Sequence, residues 1–153
     1  MDHKRYYGLD PDFAQKLALF EARLAKAGIK VKLTCGYRSI EEQNRLYSLG
    51  RTKPGRIVTN ARGGSSWHNF RLAADYVFVI GGQISWNGPW KVFGRIAREC
   101  GLEWGGDWKK FPDRPHVQWR NGKSLREMRT AISNRKLHIA ETAFPICDLK
   151  SEI

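Results

Sequence analysis

Ser66-Trp67-His68-Asn69-Phe70-Arg71-Leu72-Ala73-Ala74-Asp75-Tyr76-Val77-Phe78-Val79-Ile80 sets the frame for the whole chain. Leu72 to Ile80 is apolar except for Asp75 and reads as a buried strand. A carboxylate inside such a run needs a partner or a metal ion. Residues seven apart on one strand point to opposite faces, so His68 reaches Asp75 only from a loop that folds back.

A second stretch of the same character follows downstream, Asp113-Arg114-Pro115-His116-Val117-Gln118. Pro115 fixes its own backbone and favours extended geometry in the residue before it. The two stretches together supply two imidazoles and two carboxylates. Three protein ligands with one open, water-filled position make a catalytic zinc site, and a fourth group can act as base beside the water. Each stretch alone has a plainer reading: His68 and Asp75 as a hydrogen-bonded pair, Asp113 as a loop carboxylate paired with Arg114. The joint pattern favours the metal.

Working outward, Asp10-Pro11 predicts a helix start, with Asp10 as N-cap and Pro11 at the first position. Phe13, Leu17, Phe20 and Leu24 then form one stripe, and Gly28 is the stop. Ile29 to Cys35 predicts a strand with Val31, Leu33 and Cys35 on one face. Ser39 and Glu42 are spaced as a capping box for a second helix that ends near Gly50. Residues 51–64 read as a long basic loop, a class of segment that is often functional. A short strand around Ile84–Trp86, a helix from Pro89 to Gly101 and short strands at Leu102–Trp104 and His116–Trp119 follow. A second capping box, Ser124 with Glu127, opens a basic helix through about Leu137. This order predicts an α+β fold: one domain over 1–153, with a small, mainly antiparallel sheet flanked by helices.

Composition narrows the classes. The chain has 153 residues, 41% of them hydrophobic and 12% aromatic, which excludes global disorder. Lys and Arg number 27 against 15 acidic residues, a formal charge of +12. The cations are spread rather than blocked, so a folded basic surface is expected instead of a nucleic-acid-binding tail. Nucleic acid, an anionic membrane and an anionic cell wall are all eligible partners of that surface. Cys35, Cys100 and Cys147 are an odd number without a CxxC pair, and reduced thiols are expected. No run reaches transmembrane length, and Met1-Asp2-His3-Lys4-Arg5 leads into no signal-peptide core. Trp67 and Trp108 are the candidates for lining a cleft.

Ser66-x-His68, Ala73-x-Asp75 and the distant His116 resemble the SxHxxGxAxD…H signature of zinc peptidases of the D-Ala-D-Ala carboxypeptidase and L-alanyl-D-glutamate endopeptidase family. Tyr37-Arg38-Ser39 with Glu42-Gln43 is similar to the family's YRS…Q element. Trp67-His68-Asn69, Ile84-Ser85-Trp86 and Glu103-Trp104-Gly105-Gly106-Asp107-Trp108 resemble its phage endolysin branch. The resemblance covers about residues 30–120, leaving 121–153 as a basic C-terminal helix and tail.

The resemblance implies a Hedgehog/DD-peptidase-like fold and one Zn2+ per chain, bound by His68, Asp75 and His116. It implies Asp113 as general base, Arg38 and Gln43 at the substrate, and Ser66 bonded to substrate or to a ligand. The carboxypeptidase and dipeptidase branches usually have Glu two residues before a Trp-His pair. The Asp113-x-x-His116 order, with no Trp before the His, resembles the endopeptidase branch. The implied activity is hydrolysis of the L-alanyl-D-glutamate bond of peptidoglycan by a monomeric endolysin, without nucleic acid. It is expected to be made in the cytoplasm and to reach the wall through a holin-type lesion. The alternatives are a D-alanyl-D-alanine carboxypeptidase or dipeptidase, and a zinc-containing wall-binding module without catalysis. Arg71 stands where the family pattern has glycine; a positive φ there makes Arg costly.

Overall fold

A computed structural model describes residues 6–134. The expected C-terminal extension of the last helix and the tail lie outside the described residues. The elements run α1 (Pro11–Lys26), β1 (Val31–Cys35), α2 (Ile40–Ser48), a 3-10 helix (Trp67–Phe70), β2 (Ala73–Ile80), β3 (Gln83–Ser85), α3 (Trp90–Glu99), β4 (Glu103–Trp104), a 3-10 turn (Gly105–Asp107), β5 (His116–Gln118) and α4 (Leu125–Ser133). The sheet order is β1-β2-β5-β4, with β3 also pairing β2, and every pairing is antiparallel. The α+β expectation therefore holds.

Local signals account for the helix starts. The Asp10 carboxylate accepts from the amides of Asp12 and Phe13 and caps α1. Ser39 caps α2 by accepting from the Glu42 amide, and Ser124 with Glu127 forms the reciprocal box of α4. Gly28 adopts φ 77° after the last turn of α1.

β2 is the hub. Its Tyr76 and Phe78 face α1 and α3, where Phe20, Trp90 and Phe93 complete an aromatic layer. Phe20 and Phe93 meet edge to face at 5.0 Å, and Phe78 lies 4.3 Å from Trp90. Edge contacts of this kind add to the area term of burial. Tyr76 carries its hydroxyl to the Glu21 carboxylate at 2.7 Å, so the core tyrosine is satisfied.

The opposite face of β2 carries Asp75, and β1 contributes to it through an irregularity. Val31 pairs Phe78 and Leu33 pairs Tyr76, but the register shifts after Leu33, so Cys35 and not Thr34 pairs Asp75. A bulge of this kind flips all later side chains. Cys35 is thus on the Asp75 face, not on the face of Val31 and Leu33 as simple alternation predicts. Cys100 is a free, buried thiol. Cys35 is disulfide-bonded, which corrects the expectation of reduced thiols, and Cys147 lies outside the described residues.

Candidate metal centre

Asp75 sits mid-sheet, with Cys35 as its neighbour on β1 and His116 as its neighbour on β5. Cross-strand partners share a face, so pairing alone brings His116 beside Asp75. His68 arrives by a different route. The 3-10 helix Trp67–Phe70 ends on Arg71 at φ 67°, ψ 22°, in the left-handed region. This turn sends the chain back into β2 and folds His68 over Asp75. The sequence reading had His68 on a loop; it is a short helix closed by an αL residue.

Three lone pairs converge here. His68 Nδ1 donates to the Gly36 carbonyl at 2.7 Å, which leaves Nε2 unprotonated. Gln118 Nε2 donates to the Glu103 carboxylate at 3.0 Å, so its Oε1 must face His116 Nε2 at 2.8 Å and accept from it. His116 Nδ1 then carries the lone pair. Asp75 Oδ1 lies 3.3 Å from His68 Nε2 and 3.2 Å from His116 Nδ1. Three acceptors at such range, with His68 Nε2 buried and lacking any hydrogen bond, form a set of lone pairs suited to a cation. Ligands held at 2.0–2.1 Å in tetrahedral geometry stand about 3.3 Å apart, close to the observed edges.

Electrostatics agree with ligand duty. The His68 pKa is pushed down to about 4, chiefly by burial, with Asp75 opposing. At neutral pH the ring is uncharged and can donate a lone pair. The other Asp75 oxygen is 3.5 Å from Arg38 Nη2, a buried ion pair. Burial lowers the Arg38 pKa, with Asp75 the largest opposing influence. Asp113 is half-buried, and its carboxylate lies with Asp75 and His116 in one group of potential ligand atoms, all within 4.8 Å of one another. Cys35 is near His68 and Asp75 as well, but a disulfide sulfur offers no thiolate.

Other residues singled out by the sequence take up different positions. Arg38 is only 3% exposed, and its guanidinium donates to Gln43 Oε1 at 2.7 Å, to Cys35 Sγ and to Asp75. It holds Asp75 in place, and Gln43 supports it as expected. Gln43 is fully buried and donates onward to Thr59 and Ala61, so it ties Arg38 to the basic loop. Ser66 accepts from the His68 amide as the N-cap of the 3-10 helix. Trp67 is buried in the core and packs on Phe70, which removes it from the cleft. Trp108, half-buried, remains at the site with its ring 5.0 Å from that of His116.

Several contributors are visible only in three dimensions. Gln118 and Glu103 orient His116, and Arg120 pairs with Glu103 at 2.8 Å behind them. Asn69 donates to the Arg38 carbonyl at 2.8 Å and accepts from the amides of Gly64 and Ser66. The Trp104-Gly105 pair pins the Asp113 segment. Trp104 Nε1 donates to the Arg114 carbonyl at 2.7 Å, and Gly105 O accepts from the Asp113 amide at 2.9 Å. A Cβ on Gly105 would stand 2.3 Å from the Asp113 carbonyl oxygen. His116-x-Gln118 is the sequence signal for the orienting residue, since alternate strand residues share a face.

Two family models described as D-alanyl-D-alanine carboxypeptidase match residues 59–119 and 7–84. The peptidoglycan L-alanyl-D-glutamate endopeptidase CwlK of Bacillus subtilis (strain 168) is 45% identical over 121 residues, 72% of this chain and 72% of that protein. An L-alanyl-D-glutamate peptidase of Listeria phage A118 is 34% identical over 82 residues, 48% of this chain and 29% of that protein. Among solved structures, the L-Ala D-Glu endopeptidase ChiX of Serratia marcescens superposes with a TM-score of 0.56 at 28% identity, covering 82% of this chain and 87% of that one.

Proposed function

The chain belongs to the D-alanyl-D-alanine carboxypeptidase family, and from that premise we propose that it is a zinc endopeptidase cleaving the L-alanyl-D-glutamate bond of peptidoglycan stem peptides. The observation that carries this reading is the convergence of His68 Nε2, Asp75 Oδ1 and His116 Nδ1, with the Asp113 carboxylate beside them. His68, Asp75 and His116 would hold the zinc, a set of two nitrogens and one carboxylate oxygen typical of catalytic sites. When bound, zinc acidifies a water and polarises the scissile carbonyl.

The residues of the chain do the rest. Asp113 accepts a proton from the attacking water and returns it to the departing D-glutamyl nitrogen. Arg38 neutralises the second Asp75 oxygen and keeps that carboxylate aimed at the centre. Gly36 and Gln118 fix the tautomers of the two imidazoles. Trp108 walls the site beside His116 and limits water.

The endopeptidase reading is favoured over the carboxypeptidase one by the Asp113-x-x-His116 spacing and by the named activities of CwlK, the phage A118 enzyme and ChiX. Among the described residues no helix is long and apolar enough to cross a membrane. We place the site of action at the cell wall, reached as a monomer after release through a holin-type lesion, with the basic surface drawn to anionic envelope polymers.

Digestion of purified sacculi with and without a chelator, the cut bond assigned by mass, tests the proposal. New L-alanine carboxyl termini that vanish with chelator are expected. Loss of terminal D-alanine instead would move the chain to the carboxypeptidase branch.

A further inference from the structure

Beside Asp113 the surface opens into a cavity of about 480 Å3, a size suited to a small ligand. Arg56 and Ile57 of the basic loop line it. Trp86, Phe111, Asp113 and Arg114 line it as well. Ile57 and Phe111 are exposed at 47% and 36%, large apolar side chains within reach of solvent. Neither Arg56 nor Arg114 is in an ion pair among the described residues. A mainly apolar hollow with two uncommitted cations is complementary to a short anionic peptide with an aliphatic portion.

The position of Asp113 gives the hollow a direction along the substrate. A group that returns a proton to the leaving nitrogen must lie within hydrogen-bond reach of it. The portion of substrate beyond that nitrogen therefore leaves along the Asp113 side, where the cavity is. That portion begins with a glutamyl residue, which has two carboxyls. One continues the stem, and the other is a free anion unless it is amidated.

We propose that this cavity is the leaving-side subsite: Arg56 and Arg114 pair with the free carboxylate of the D-glutamyl residue, and Ile57, Trp86 and Phe111 pack on the aliphatic part of the residue after it. The inference rests on Asp113 acting as the base. It makes the two arginines specificity determinants that distinguish a D-glutamyl stem from its amidated form.

The test uses the full, zinc-loaded chain and two synthetic stem peptides that differ only in that carboxyl, acid or amide. The wild type is expected to favour the acid by about 10- to 100-fold in kcat/KM, the range for a hydrogen bond to a charged group. In the Arg56→Gln/Arg114→Gln double variant the acid-to-amide ratio falls toward one, mainly through KM. Calorimetric binding of the D-glutamyl product peptide, which has no scissile bond, weakens by a similar factor. A ratio and a product affinity that both stay at wild-type values would overturn the subsite while leaving the endopeptidase reading intact. No cleavage of either peptide by the wild type, with product binding still dependent on the arginines, would sink the endopeptidase reading and the leaving-side assignment with it, and leave the cavity as a binding site for the D-glutamyl peptide.

Discussion

Replacing Arg71 separates backbone strain from side-chain contact at the turn that delivers His68. Arg71 is a non-glycine residue at φ 67°. The left-handed region costs an L-residue about 1–2 kcal/mol, which glycine avoids. The arginine also stabilises: Nη1 donates to the Gly8 carbonyl at 2.6 Å, and the guanidinium lies 4.3 Å from the Tyr37 ring centroid. A charged hydrogen bond at a partly buried site contributes about 1.5 kcal/mol, and the ring contact about 0.5–1 kcal/mol. Arg71→Gly loses both contacts and adds a backbone entropy cost of about 0.5–1 kcal/mol, but it removes the strain. The net expectation is a destabilisation of about 1–2 kcal/mol. Arg71→Ala loses the contacts and keeps the strain, so it should fall below Arg71→Gly by about 0.5–1 kcal/mol.

Equilibrium urea unfolding of the three proteins in excess chelator, with midpoints compared at constant slope, measures both differences. The order wild type, Gly, Ala is required. An Arg71→Gly protein as stable as the wild type would show that the contacts to Gly8 and Tyr37 do not outweigh the strain. An Ala variant equal to the Gly variant would remove the strain argument.

Further outcomes follow from the centre itself. Asp113→Asn should lower turnover by about 100-fold or more while binding one zinc per chain with near wild-type affinity; near-normal turnover excludes it as the base. Gln118→Leu frees the His116 tautomer and should weaken zinc by about 10- to 100-fold in chelator competition, with Gln118→Glu recovering part of the loss; unchanged affinity in the Leu variant would mean the ring is held by other means. Gly105→Ala forces the Asp113 carbonyl to move, so kcat should drop with the zinc content retained, read by single-turnover kinetics and metal analysis. Saturating zinc should raise the unfolding temperature over chelated protein, since metal binds only the assembled site; identical melting curves would argue against a metal centre.

The division between chain and fold is clear at particular residues. The helix starts at Asp10, Ser39 and Ser124 are legible because a cap is a contact over two or three residues. His68, Asp75, Asp113 and His116 are legible as candidates because ligand type and motif spacing survive in one dimension. Arg71 is flagged by its motif position, and its backbone lies in the αL region that a glycine there would favour.

Tertiary structure decided the remainder. The bulge after Leu33 reverses the face of Cys35, because register depends on a partner strand 40 residues away. Arg38 turns inward because Asp75 needs a counter-charge in a buried site, and an alternating pattern does not reveal where that charge comes from. Trp67 enters the core for its apolar area, a choice set by what surrounds it and not by its neighbours in sequence. Gln118 meets Glu103, and Gly105 meets Asp113, only after β4 and β5 have paired. The sequence by itself determined which groups could bind a metal and where the chain turns. The sheet register decided which atoms of those groups point at one another, because lone pairs are directional and their aim depends on contacts far apart along the chain.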